Sequence, residues 1–292
     1  MRVRKILPED LKKIKDDSWV DTTRRPFFLN GKALVPVKDG EVFDQEIPER
    51  HVYQGRGFFM IGNIAVTHGK KPTSQEIKDI VDLRSPRGVL WIDSIRDLTR
   101  TPSIELLWGD AGETEHHENR YTYFLDPTRV MFSQGNREEK LRIANLTAGT
   151  NKSERIADMF AGIGYFTIPL AANGANVHAM EINPVAFGYL KKNITANSLE
   201  GRVTPCLGDC RTLLSGVYDR IVMGHFDAVD TLPEALAHAH KGTTLHIHSI
   251  DPIIDKIEKT LKETGFSAGI RVHKVKKYRP RTWHVVQDVT LS

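Results

Sequence analysis

Residues 158 to 184 hold the densest chemistry in the chain: Asp158-Met-Phe-Ala-Gly-Ile-Gly-Tyr-Phe, and further on Met180-Glu-Ile-Asn-Pro184. The apolar run Ile156 to Met159 is expected to form a buried strand, and Tyr165 to Ala172, free of breakers apart from Pro169, a helix. Gly162 and Gly164 lie between them, where a strand-to-helix turn brings backbone N–H groups against a ligand. A second strand, Asn176 to Met180, ends at Glu181, an acid placed to accept hydrogen bonds from a ribose diol. These features describe a nucleoside-binding βαβ unit. Gly208-Asp209-Cys210 follows a third strand, Val203 to Leu207, and sets an acid where an adenine amino group would lie. The third glycine of the dinucleotide fingerprint falls at Thr167, which would crowd the helix against the strand. S-adenosylmethionine is therefore expected ahead of a nicotinamide cofactor.

A fourth strand runs into Asp219-Arg-Ile-Val-Met-Gly-His-Phe-Asp. Methyltransferases acting on base amino groups usually carry Asn or Asp here, followed by prolines and an aromatic. This chain has Met223-Gly224-His225 instead, so an amine would find no side-chain acid. His225 is a candidate general acid/base near neutral pH, and equally a strand-end hydrogen-bonding residue. His246 and His248 share one strand face, but His238 and His240, read on a helix at i, i+2, do not converge, so no metal site is expected. Cys206 and Cys210 lack the spacing of a zinc knuckle, and two thiols fit a reducing cytoplasm.

Arg271 to His284 carries Arg271, Lys274, Lys276, Lys277, Arg279 and Arg281 without an acid, interleaved with Tyr278 and Trp283. Bases with aromatics suit an RNA backbone or an unstacked base. A solvated hairpin is the plainer reading. Overall charge is nearly balanced, 41 basic against 37 acidic residues, but it is unevenly distributed.

The elements that would hold these residues divide the 292-residue chain into three. Residues 1–65 are expected as a small N-terminal α+β domain, with a short amphipathic helix over Pro8 to Lys15 and an edge strand at Ala33 to Lys38. Residues 66–130 read as an α+β middle domain. It has strands at Ile64 to His68, Val89 to Asp93 and Ser103 to Gly109, and a helix from Ser74 to Leu83 capped by Ser74. Gly109 to Asn119 is read as an acidic hairpin tip. Residues 131–292 alternate helix and strand: Glu138 to Leu146, Pro184 to Leu199 with Asn183 as N-cap, Tyr218 to Met223, Thr231 to His240, Thr244 to Ile250 and Ile253 to Thr264. Two closing strands follow, Ile270 to Val275 and His284 to Thr290. The expected fold is α/β, a Rossmann-like doubly wound sheet with an antiparallel terminal strand. No apolar run nears the roughly 20 residues of a membrane span. The charged N-terminus is no signal peptide, and a cytoplasmic location is expected.

Four segments together carry a family likeness: Val130-Met-Phe-Ser-Gln-Gly-Asn-Arg-Glu-Glu-Lys140, the Asp158 to Pro169 stretch with Glu181-Ile-Asn-Pro, Arg220-Ile-Val-Met-Gly-His225, and Lys277-Tyr-Arg-Pro-Arg-Thr-Trp-His-Val-Val-Gln-Asp288. Over nearly its whole length the chain resembles the archaeal wybutosine-synthesis aminocarboxypropyltransferases, whose relatives are the tRNA guanosine-37 N1-methyltransferases. Both share the class I methyltransferase fold. The methyltransferases bear Asn-(Leu/Met)-Pro after the fourth strand, and Met223-Gly224-His225 resembles the transferase branch.

The resemblance implies transfer of the 3-amino-3-carboxypropyl group of S-adenosylmethionine to C7 of 4-demethylwyosine at position 37 of tRNA(Phe), with release of methylthioadenosine. A sulfonium offers three carbons to attack, and the one held in line at near-attack distance reacts. It also implies that Ser133 and Lys140 bind the cofactor, Lys140 through the methionine carboxylate. Glu181 would hold the ribose, and Asp209 with the Cys210 backbone the adenine; Phe160, Gly162 and Gly164 complete the cofactor-binding set. Lys274, Lys276, Lys277, Arg279 and Arg281 are expected to contact the anticodon stem-loop of tRNA(Phe), with no membrane and no obligate protein partner. Three alternatives stand beside this reading: guanosine-37 N1-methyl transfer or a dual activity, a non-catalytic RNA-binding protein on the same fold, and a nicotinamide dehydrogenase.

Overall fold

The computed structural model describes residues 1–48, 53, 55, 57–96, 101–147 and 153–292. The chain separates into two compact units, Met1–Gln54 and Gly55–Ser292.

In the first unit, β1 (Arg2–Ile6), β2 (Phe27–Leu29), β3 (Lys32–Pro36) and β4 (Gln45–Glu46) form an antiparallel sheet in the order β2-β3-β1-β4. The segment expected as an edge strand, β3, therefore lies inside the sheet. It pairs with β1 on one side and β2 on the other. Val20, Ala33 and Val35 form this unit's core, with Leu11, Ile14 and Trp19 packed against it. The helix expected over Pro8 to Lys15 is a single 3-10 turn, Pro8–Asp10, followed by turns. So short a segment does not repay helix nucleation, and its apolar residues Leu11 and Ile14 are half-buried against the sheet's core instead.

The second unit opens with β5 (Phe58–Ile61), β6 (Ile64–His68), α1 (Ser74–Arg84), β7 (Gly88–Arg96) and β8 (Thr101–Gly109), whose strands lie in the order β5-β6-β7-β8. The boundary expected at residues 65/66 thus falls within β6. The cap of α1 is Thr73 and not Ser74. Thr73 Oγ1 accepts from the Glu76 N–H at 3.3 Å, and Glu76 Oε2 accepts from the Thr73 N–H at 2.8 Å, a reciprocal capping box. The stretch read as a hairpin tip holds a strand of its own, β9 (Thr114–Glu118), paired with β10 (Tyr121–Leu125). Its two-residue turn, Asn119-Arg120, has φ of 53° and 71°. That is the left-handed pair a tight hairpin needs, here without the glycine that would have announced it.

The remaining elements are α2 (Arg137–Thr147), β11 (Arg155–Asp158), α3 (Thr167–Ala172), β12 (Asn176–Glu181), α4 (Pro184–Ala196), β13 (Val203–Leu207), α5 (Cys210–Leu213), β14 (Tyr218–Met223), α6 (Leu232–Ala237), β15 (Ala239–Ile250), α7 (Ile254–Thr264), β16 (Ala268–Arg279) and β17 (Thr282–Leu291). Seven strands form one sheet in the order β13-β12-β11-β14-β15-β17-β16, parallel except for β17, which runs antiparallel to both neighbours. This is the doubly wound sheet with an antiparallel terminal strand. Adjacent residues enter opposite cores: Ile156 and Val222 on one side, Ala157 and Ile221 on the other. Ile64, Val66 and Leu90 from β6 and β7 join the first of these cores, so residues 66–130 share a hydrophobic interior with the large sheet. Asn183 caps α4 as expected, accepting from the Val185 N–H at 2.9 Å. The helix expected over Thr231 to His240 is shorter because Ala239 already pairs with Tyr218 as β15 begins. Among the described residues, no helix is long and apolar enough to cross a membrane.

Of the four histidines considered for metal binding, His246 and His248 serve the interior, whereas His238 and His240 lie towards the surface. His246 Nδ1 lies 2.6 Å from Asp288 Oδ1, and its Nε2 is 2.7 Å from Arg220 Nη1. His248 Nδ1 lies 2.9 Å from His284 Nε2. Burial pushes the pKa values of both His246 and His248 down. Protonation then favours the unfolded chain, so this stability is present above the unfolded histidine value of about 6.5 and lost as pH falls below it. The melting temperature should hold between pH 8 and 7 and drop progressively by pH 5.5. Each group supplies a slope of up to about 1.4 kcal/mol per pH unit. A melting curve unchanged at pH 5.5 would contradict the neutral, buried assignment.

Candidate cofactor and acceptor site

The order of the central strands reverses between β11 and β14, and ligands of doubly wound sheets bind beyond the carboxyl ends at such a point. Asp158 ends β11 fully buried. Its Oδ2 accepts from the Thr167 hydroxyl at 2.7 Å, and burial pushes its pKa up to about 6. The following turn places Gly162 at φ 58° and Gly164 at φ 104°. A Cβ on Gly162 would lie 2.5 Å from the Tyr165 ring, and one on Gly164 would lie 2.9 Å from Ile168 Cγ1. Glycine is thus required here by conformation and by space. The helix expected from Tyr165 begins at Thr167, and the Tyr165 hydroxyl donates to the Met131 carbonyl in the segment before α2.

Glu181 ends β12 and closes this turn. Its Oε2 accepts from the Gly162 N–H and its Oε1 from the Asn183 N–H, each at 2.7 Å. Burial raises its pKa, with those backbone donors opposing. Each oxygen keeps a further lone pair, so a carboxylate fixed in place still has acceptors for a ribose diol. The residues present fit an adenosyl group at this point. Asp209 sits at the N-cap of the short α5, accepting from the Arg211 N–H at 2.9 Å, and its carboxylate also pairs with the Arg211 guanidinium. An adenine amino group would share Asp209 with Arg211. Cys210 is buried, and burial pushes its thiol up to about 11, so its role is confined to backbone and packing.

Lys140 meets the same turn through the Tyr165 ring. Ser133 precedes the 3-10 turn Gln134–Asn136, which leads into α2. Lys140 is 1% exposed, and its Nζ lies 2.8 Å from Glu118 Oε1. The ammonium also sits 4.8 Å from the Phe132 ring centre and 5.1 Å from that of Tyr165. Burial lowers the Lys140 pKa, and Glu118 opposes the shift. The sequence pointed to Lys140 but missed Glu118, its buried counter-ion on β9.

Phe160, expected at the cofactor, and His225, the candidate general acid/base, stack with ring centres 5.5 Å apart. His225 Nδ1 accepts from the Asp227 N–H at 3.2 Å, which leaves the hydrogen of a neutral ring on Nε2. Asp227 itself projects into solvent with 81% of its side chain exposed. Gly224 lies against Phe166, where a Cβ would meet the ring at 3.3 Å. From Met223 to Phe226 the end of β14 carries no acid or amide side chain, and the first acid after it is Asp227.

The basic segment forms the hairpin of β16 and β17. Lys277, Arg279 and Arg281 are exposed, Lys274 lies over the Trp283 ring at 4.9 Å, and Tyr278 is 40% exposed beside Phe226. Lys276 departs from this surface set. Its side chain lies over Gly135, so that a Cβ there would meet Lys276 Cδ at 2.9 Å.

The family model for the TRM5/TYW2 methyltransferase domain matches residues 114–273. A relative from Methanocaldococcus jannaschii, named tRNA(Phe) (4-demethylwyosine(37)-C(7)) aminocarboxypropyltransferase, is 36% identical over 243 residues, covering 78% of this chain and 95% of its own. The crystal structure of M. jannaschii TYW2 in complex with AdoMet aligns with TM-score 0.64 and 28% identity, over 81% of this chain and 99% of that one. Trm5b from Pyrococcus abyssi aligns with TM-score 0.77 and 25% identity over 99% of both chains. With a glycine turn clamped by Glu181 on a class I methyltransferase sheet and the family model spanning more than half its length, the chain belongs to the TRM5/TYW2 methyltransferase-domain family.

Proposed function

We propose that this chain is an S-adenosylmethionine-dependent transferase that moves the 3-amino-3-carboxypropyl group to C7 of 4-demethylwyosine at position 37 of tRNA(Phe). The observation that carries this reading is the end of β14. There Met223 is buried, Gly224 packs on Phe166, and the first acid, Asp227, is out in solvent. Methylation of a base nitrogen needs a group to receive the N–H proton. A ring carbon attacks through its π electrons and releases its C7 proton to solvent only after the new C–C bond has formed, so it needs no such grip beforehand. The 36% identity to the M. jannaschii aminocarboxypropyltransferase over 95% of that protein supports the same branch.

S-adenosylmethionine supplies an electrophilic methionine Cγ, and its C–S bonding pair leaves with neutral methylthioadenosine. Within the chain, Glu181 holds the ribose diol, and Asp209 with the Cys210 N–H receives the adenine. Ser133 and Lys140 address the methionine tail from the loop that Tyr165 fastens to the glycine turn. Phe160 stacks on His225 and shields the reacting face from water. His225 positions its Nε2–H as a donor, because Nδ1 is occupied by the Asp227 N–H.

Lys274, Lys277, Arg279 and Arg281 contact the tRNA backbone near the anticodon loop. Replacing Lys277, Arg279 and Arg281 with alanine together should weaken tRNA binding and reduce the slope of log K against log salt by about 2–3. An unchanged slope in a filter-binding titration removes the hairpin from the interface. The identity of the nucleoside by-product tests the reaction. Methylthioadenosine is expected on chromatography, whereas S-adenosylhomocysteine would mean methyl transfer. That second reading has one observation in its favour, the alignment with Trm5b over 99% of both chains.

A further inference from the structure

Helix α4 meets one edge of β10 through two amide side chains a helical turn apart. Asn193 Oδ1 accepts from the Phe124 N–H at 2.6 Å, and its Nδ2 donates to the Phe124 carbonyl at 3.2 Å. Asn197 repeats the pattern on Thr122, its Oδ1 accepting from the N–H at 3.0 Å and its Nδ2 donating to the carbonyl at 2.7 Å. The spacings match, since four helical residues rise about 6 Å and two strand residues about 6.6 Å. The other edge of β10 pairs with β9, so the two amides meet the strand's backbone groups as a further strand would. They differ in where the second N–H of each NH2 group goes. That of Asn197 donates to the Asn193 carbonyl within α4 at 2.8 Å. That of Asn193, a fully buried residue, donates to the Ile163 carbonyl at 2.9 Å. Ile163 lies between Gly162 and Gly164 in the glycine turn.

The freedom that lets Gly162 and Gly164 take φ of 58° and 104° also lets the peptides between them rotate, so other groups must select one arrangement. Glu181 fixes one peptide of the turn through the Gly162 N–H. We propose that Asn193 is the positioning residue that fixes another: by holding the Ile163 carbonyl it sets the Ile163–Gly164 peptide, and with it the backbone that receives the adenosyl group. This rests on the reading of the chain as an S-adenosylmethionine-dependent transferase. In a trans peptide the Gly164 N–H points opposite the Ile163 carbonyl, and it donates to the Ala161 carbonyl at 2.8 Å. One buried amide thus orients both ends of the unit. Asn193 acts through the turn, ordering its backbone before the cofactor arrives and so reducing the cost of binding. Because β9 carries Glu118, the counter-ion of Lys140, the same side chain joins the turn to the hairpin that holds Lys140.

The test compares the full chain with Asn193→Ala and Asn197→Ala, by urea unfolding and by calorimetric titration with S-adenosylmethionine and methylthioadenosine. Both variants strip β10 backbone groups of an amide partner, so both should unfold at lower urea. Only Asn193→Ala releases the turn. It should weaken both nucleosides about tenfold, alike because they share the adenosine, while Asn197→Ala stays within about twofold of wild type. Amide exchange at Gly164 should quicken in Asn193→Ala and stay as in wild type in Asn197→Ala. Asn193→Ser keeps a polar group on a shorter side chain, and should lose the same affinity where the alanine variant does not fold. Wild-type affinity in the folded Asn193 variant overturns the assignment. An equal loss in the Asn193 and Asn197 variants overturns it too, since the amides would then act on stability alone. Wild-type protein that binds neither nucleoside overturns the transferase reading, and the assignment with it.

Discussion

Glu181→Ala should reduce affinity for S-adenosylmethionine by about 2–4 kcal/mol, roughly thirtyfold to a thousandfold. Two losses combine. The ribose loses its charged acceptor, and the N–H groups of Gly162 and Asn183, each now bound at 2.7 Å, lose their partner. The second loss acts on the free protein, because the glycine turn is then held only by its own backbone. Glu181→Gln distinguishes the two contributions. Its amide can accept from one N–H but must turn an NH2 group towards the other, so it should recover only part of the affinity. Isothermal titration with S-adenosylmethionine and methylthioadenosine should show both ligands weakened alike, since the ribose is common to them. Wild-type affinity in Glu181→Ala would detach this acid from the ligand altogether.

Lys140→Met should destabilise the fold by about 3–5 kcal/mol, because it strands the Glu118 carboxylate in a buried site without its counter-ion. Glu118 and Lys140 are 5% and 1% exposed, so neither charge can turn to water. Adding Glu118→Gln to Lys140→Met should restore much of that stability by removing the orphaned charge. Urea unfolding of the wild type, both singles and the double gives the coupling directly. A double variant that simply sums the two single losses would mean that the ion pair contributes nothing as a pair. The restored double variant should still bind S-adenosylmethionine poorly relative to methylthioadenosine, which separates the fold role of Lys140 from its role at the tail.

What could be read from the sequence is what local rules determine. The glycines, Glu181 and the N-cap Asn183 follow from one strand–turn–helix–strand unit, where each residue's place depends on near neighbours. The doubly wound sheet with its antiparallel closing strand followed from the alternation of helix and strand and the closing hairpin. Glu118 escaped because its partner lies 22 residues away and its hairpin turns on Asn119-Arg120 with no glycine. The basic hairpin was legible as charge, but a one-residue slip in pairing decides which way Lys276 points, and side-chain direction in a strand depends on register. The short helix expected at Pro8 failed for a related reason. Its apolar residues suit a helix face or a sheet's flank equally, and packing on β3 decides between them. The histidines show the reverse case, where a cluster that looks chemical is absorbed by the interior as His246–Asp288 and His248–His284 pairs.

The most direct measurement incubates the protein and tRNA(Phe) carrying 4-demethylwyosine with S-adenosylmethionine labelled separately in the methyl group and in the carboxypropyl carbons. Carboxypropyl label should appear in the tRNA, and methyl label should remain entirely in methylthioadenosine. Methyl label recovered in the tRNA, with the carboxypropyl label left in S-adenosylhomocysteine, would contradict the assignment and place the chain with the methyltransferases.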